Sequence, residues 1–96
     1  MRAFLIVHGF VQGVGYRNFV RRAAKRHGVC GMVRNRFDGS VEILADADSP
    51  KLENFEKEIN VSMKNGPQVM HIEHLDENAT ELSNVNVEGF KIWPTL

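Results

Sequence analysis

The spacing of apolar residues changes several times along the chain, and each change marks an element. Residues 2–8, Arg-Ala-Phe-Leu-Ile-Val-His, are apolar at consecutive rather than alternating positions. A short run of this kind, with a β-branched pair and a glycine behind it, predicts a central strand buried on both faces. Residues 9–15 hold three glycines in seven positions and predict a loop. From Tyr16 to His27 the spacing becomes helical: Phe19, Val20, Ala23, Ala24 and His27 fall on one face, with the arginines and Lys25 on the other. Gly28 is placed to stop that helix.

Residues 29–36 predict a second strand, Phe37-Asp38-Gly39 a tight turn, and residues 40–46 a third strand with Val41, Ile43 and Ala45 on one side. Ser49-Pro50 reads as a helix cap followed by proline at the first helical position. Leu52, Phe55 and Ile59, with Met63 as a further candidate, line one face of a second helix that Gly66-Pro67 ends. Residues 69–76 predict a fourth strand, residues 77–86 are polar and irregular, and Phe90-Lys91-Ile92 could form a short final strand. The order β-α-β-β-α-β predicts an α+β fold, the split-βαβ or ferredoxin-like sandwich. Right-handed crossovers would place both helices on one face of an antiparallel sheet. No linker, repeat or low-complexity tract interrupts the pattern, so residues 1–96 are expected to form a single domain.

Composition narrows the class. With 96 residues, 43% hydrophobic and 25% charged, the chain suits one ordinary globular core, which disfavours disorder or a large multi-step enzyme. No apolar run approaches the ~20 residues a membrane helix needs. The one cysteine, Cys30, leaves no intrachain disulfide, and no apolar leader is visible, so a cytoplasmic, reducing location is expected. Twelve basic residues balance twelve acidic ones, but eight of the basic residues lie in residues 1–36, which contain no Asp or Glu. Either the first third carries an anion-attracting field, or a basic helix lies beside an acidic one and is neutralised. Nucleic-acid binding is not favoured, because the acidic part shares the same small surface.

The segment Gly9-Phe10-Val11-Gln12-Gly13-Val14-Gly15-Tyr16-Arg17 links a strand end to a helix start. Glycines let successive backbone N–H groups converge, and the helix N-terminus adds unpaired amides with a partial positive charge. Arg17, in the first turn, offers a fork matched to phosphate or carboxylate. Together these features describe an anion site. A solvated arginine beside a tight connection is the plainer alternative. The spacing fits neither a Walker A loop nor Gly-x-Gly-x-x-Gly. Asn35, at the end of the second strand, would by itself read as a local cap.

The same segment resembles the first signature of the acylphosphatase family. Gly31-Met32-Val33-Arg34-Asn35-Arg36-Phe37-Asp38-Gly39-Ser40-Val41-Glu42 resembles the second, and Gly66-Pro67 and Phe90-Lys91-Ile92 also sit where that family has similar residues. The resemblance spans nearly the whole chain. It implies hydrolysis of acyl phosphates to carboxylate and inorganic phosphate, without metal or cofactor. Arg17 matches the family's phosphate-binding arginine and Asn35 its water-orienting asparagine. The backbone amides of Gln12, Gly13, Val14, Gly15, Tyr16 and Arg17 match its phosphate cradle. A small acyl phosphate is then the expected partner, inorganic phosphate a product inhibitor, and the working form a monomer. Met32 stands where the family usually has an aromatic residue, and Ala47 where the second signature usually ends in glycine.

Other residues carry weaker signals. His71 and His74 would fall on opposite faces of a strand, which argues against a metal pair. His8 and His27 read as structural or solvent-facing, Cys30 as a small buried residue and Trp93 as a packing anchor. Three rivals remain: an accessory domain of the same fold that binds a phosphorylated ligand without turnover, an RNA-binding ferredoxin-like module, and a small structural partner protein. The second is weak, because Val41-Glu42-Ile43-Leu44 offers no aromatic on which a base could stack.

Overall fold

The computed structural model describes residues 1–96. In chain order it contains β1 (Arg2–Phe10), α1 (Tyr16–His27), β2 (Cys30–Asn35), β3 (Val41–Asp46), α2 (Ser49–Ile59), β4 (Gln68–Leu75), a 3-10 turn (Glu77–Ala79) and β5 (Phe90–Ile92). The sheet order is β4-β1-β3-β2-β5. Its first four strands pair antiparallel, as the ferredoxin-like reading expects. β5 corrects that reading at one edge: it pairs parallel to β2, so the sheet is mixed. The chain leaves β4 at one edge, crosses the sheet and enters at the opposite edge, which sets the direction of β5.

Several boundaries also move. β1 continues through Gly9 and Phe10, with an irregularity in its pairing to β4 at His8/Gly9, so the connecting loop is residues 11–15 rather than 9–15. The cap of α2 is Asp48, not Ser49: its carboxylate accepts the Lys51 N–H at 3.2 Å, and Ser49 and Pro50 lie inside the first turn. Proline is tolerated there because its missing N–H has no partner in a first turn. Met63 lies beyond α2, in a turn closed by the Gly66 N–H on its carbonyl. Ala47 does not adopt a left-handed backbone, since Asn65 is the one non-glycine residue that does. It sits in an ordinary connection, its N–H donating to the Met1 carbonyl.

Both faces of the sheet are covered. On one, Leu5 and Val7 of β1, Val33 of β2 and Val41, Ile43 and Ala45 of β3 pack against Val20, Ala23 and Ala24 of α1 and Leu52, Phe55 and Ile59 of α2. Phe19 is only half-buried, whereas Tyr16 joins the buried set. On the other face, Phe4, Met32 and Leu44 meet Leu82, with Leu75, Val85, Val87 and Trp93 around them. The segment 77–87 is therefore irregular but not idle, because its few apolar side chains close the second face. Met32 fills this layer and is fully buried. Cys30 is half-buried rather than buried.

Charge pairing resolves part of the asymmetry. Arg26 and His27 at the end of α1 both meet Glu58 of α2, as neutralisation between the helices predicts. Arg2 pairs with Asp46 and Arg36 with Asp38. Arg34 faces away from the helices and bonds its cross-strand neighbour Glu42 at 2.7 Å, with Trp93 stacked 5.8 Å from its guanidinium. The basic residues of α1 that remain without a carboxylate are Arg17, Arg21, Arg22 and Lys25.

Candidate active site

The site begins where β1 runs out. Val11 is buried and anchors the near end of the loop. Gly13 and Gly15 have φ of 76° and 78°, left-handed values that a side chain resists. A Cβ at either position would meet nothing within 4 Å, so the backbone angle, not crowding, demands glycine there. Gly15 is also the cap of α1 and supplies no side-chain oxygen to the first helical amides. Nor does the first turn contain an acidic residue. The positive end of this helix is thus left uncompensated by the protein.

Two side chains hold that end in place. The Tyr16 hydroxyl donates to the carbonyl of Ile59, tying the first turn of α1 to the last turn of α2 at 2.8 Å. Burial pushes the Tyr16 hydroxyl far above its ordinary range, so it stays protonated and serves as a tether. Gln12 reaches the other way. Its side-chain amide nitrogen donates to the Arg36 carbonyl at 2.7 Å and the Ser40 carbonyl at 2.8 Å, joining the loop to the β2–β3 hairpin. The hairpin turn is itself clipped by Asp38. Hydrogen bonds from the Ser40 hydroxyl and amide hold that carboxyl below its usual range, so the clip stays ionised at neutral pH.

Arg17 follows Tyr16 and is half-buried, with no carboxylate partner. Together with Val11, Gly13, Gly15, Tyr16, Asn18 and Ile92 it lines a pocket of about 150 Å³. One water needs only about 10–15 Å³ on that measure, so the pocket leaves room for a tetrahedral oxyanion. The structure therefore gathers Gly13, Gly15, Tyr16 and Arg17 into one wall. Val14 packs partly against the core. Gln12 acts through its side chain, a contact that no spacing in the sequence announces. Ile92 was missed as well, because only the pairing of β5 with β2 brings it to this wall.

Asn35 does not line the pocket. It ends β2, opposite Val41, and shares the face of Val33, two residues earlier, which is the face that carries the helices. Its Oδ1 is buried and has no hydrogen-bond partner. A local capping asparagine would use that oxygen on a nearby N–H. A buried acceptor kept free is uncommon and calls for another role.

No group of three or more His, Cys, Asp or Glu side chains is placed to hold a metal. His71 stacks on His8, with ring centres 5.9 Å apart, while His74 bonds Glu56 of α2 on the opposite face. His8 also meets Glu73.

The acylphosphatase family model matches residues 3–92. An acylphosphatase of Koribacter versatilis is 41% identical over 88% of this chain and 76% of its own length. One of Cupriavidus pinatubonensis is 39% identical over 96% and 94%. Among solved structures, acylphosphatase from Bacillus subtilis superposes with a TM-score of 0.77 at 34% identity, covering 96% of this chain and 97% of that one. HypF of T. kodakarensis matches the whole of this chain with 12% of its own, at 26% identity and a TM-score of 0.77. With the order of elements, the glycine-bent loop and both sequence signatures in agreement, the chain belongs to the acylphosphatase family.

Proposed function

We propose that the chain hydrolyses the carboxyl–phosphate anhydride of small acyl phosphates, releasing a carboxylate and inorganic phosphate. The observation that carries this reading is the pocket walled by Arg17 and the backbone of Gly13, Gly15 and Tyr16 at an uncompensated helix N-terminus. The amides of residues 12–17 and the Arg17 guanidinium hold the phosphoryl oxygens. Charge on those oxygens is what a phosphoryl-transfer site must stabilise.

Asn35 orients the attacking water. Its amide has no useful pKa, so it cannot remove a proton and can only hold the water by hydrogen bonds, which fixes the direction of attack. The water oxygen bonds to phosphorus while the bond to the carboxylate oxygen breaks, and the carboxylate leaves with the electron pair. The proton of the water passes to an oxygen of the phosphoryl group itself. A carboxylate is a good leaving group, so no general acid is needed. No metal or cofactor enters this reading. Inorganic phosphate binds the same amides and inhibits competitively, and the chain works as a monomer in the cytoplasm without nucleic acid. No helix is long and apolar enough to cross a membrane.

The test is hydrolysis of benzoyl phosphate in the presence of a chelator. Asn35→Ala is expected to lower kcat by about 10²–10³, the usual cost of removing one positioned polar group. The inhibition constant for phosphate should stay within about twofold, because Asn35 does not touch the bound oxygens in this reading. Full activity in the variant would overturn the role of Asn35. Phosphate binding by the parent without any turnover would favour the accessory-domain alternative.

A further inference from the structure

We infer that Gln12 is a positioning residue that sets the phosphate-binding loop in register with the hairpin carrying Asn35. This rests on the roles just proposed for Arg17 and Asn35. A side-chain amide has two N–H donors, and the contacts of Gln12 with the Arg36 and Ser40 carbonyls use both. Those carbonyls are special places on the hairpin. The Ser40 carbonyl also accepts the Arg36 N–H at 2.9 Å, and the Arg36 carbonyl accepts the Gly39 N–H at 3.2 Å. Gln12 therefore docks onto the hydrogen bonds that close the turn, one residue from Asn35. No other side-chain hydrogen bond joins loop 11–15 to this hairpin.

The two halves of the site belong to different pieces of chain. The phosphate ligands travel with the loop and α1, and Asn35 travels with β2. Grip on phosphate depends on the first piece alone, whereas in-line attack depends on the distance between the two. A displacement of about 1 Å can cost on the order of 100-fold in rate. Removing the Gln12 amide should therefore spare binding and harm turnover.

The experiment compares Gln12→Ala and Gln12→Met in the parent and in the Asn35→Ala background, by benzoyl phosphate hydrolysis and phosphate inhibition. Gln12→Met fills the same space without donors and keeps the test valid should the alanine variant fold poorly. We expect kcat to fall by about 10–100-fold in the parent background with the phosphate inhibition constant within about twofold. In the Asn35→Ala background the same substitutions should cost less than about twofold more, because the water they would misalign is no longer held. An equal fold-loss in both backgrounds, or a weaker phosphate affinity with unchanged kcat, would overturn the role of Gln12. Undiminished turnover in Asn35→Ala alone would instead overturn the role of Asn35 on which it rests.

Discussion

Arg17→Ala is expected to lower kcat/KM by about 10²–10⁴ and to raise the inhibition constant for phosphate in step, while leaving the protein at least as stable as before. The first part follows from the phosphate contacts proposed for it. A bidentate guanidinium gives two charge-assisted hydrogen bonds, each contributing about 1.5–3 kcal/mol. The second part follows from the fold. Arg17 has no carboxylate partner, and it stands in the first turn of α1 where a positive charge opposes the helix dipole. That opposition costs about 0.3–1 kcal/mol and disappears in the variant. Steady-state kinetics beside urea denaturation check both parts. Arg17→Lys should recover only a fraction of the activity, because a point charge does not reproduce the fork. A variant that loses stability together with activity would place Arg17 in the scaffold instead.

Gly31→Ala should abolish the fold. Gly31 has φ of 148°, and a Cβ built there would stand 1.8 Å from the Leu44 carbonyl oxygen and 2.8 Å from its carbon. Both are backbone atoms of the neighbouring strand, so no side chain can rotate away. Relief requires β2 and β3 to separate in the middle of the sheet, where Gly31 lies opposite Ala45. Domains of this size have about 5–15 kcal/mol of net stability. The strain and the lost pairing should together consume most or all of that reserve. The expected result is a flat near-ultraviolet circular dichroism spectrum and no cooperative urea transition. A cooperative transition within about 1 kcal/mol of the parent would contradict the close approach.

The part of the fold that was legible in the sequence is the part governed by local period. β1 announced itself by consecutive apolar residues because both of its faces are covered. α1 did so by Val20, Ala23 and Ala24, and the hairpin by its Asp-Gly pair. The loop was legible for a different reason: its glycines mark a tight bend, and the family resemblance singled out Arg17 beside it. What stayed hidden depends on contacts distant in sequence. Leu82, Val85 and Val87 are too sparse to show a period, yet they close the outer face of the sheet. β5 is too short for its pattern to declare a direction, and the path of the chain across the sheet decides it. Arg34 is one of the eight basic residues of the first third, but strand alternation places it on the face away from the helices, where it pairs with Glu42. Asn35 read as a capping residue on spacing alone, and the resemblance to a family, not its own position, first suggested otherwise. The free buried Oδ1 adds an observation particular to this chain.

The most direct measurement of the site is a titration of the ¹⁵N-labelled protein with inorganic phosphate, followed through its backbone amide resonances. A dianion seated between the bent backbone and the guanidinium should shift the amides of residues 12–17 saturably, and Arg17→Ala should weaken that binding without moving it elsewhere. Saturable shifts clustered on the α2 surface or on β4, with residues 12–17 unmoved, would show that phosphate is not bound where the account places it.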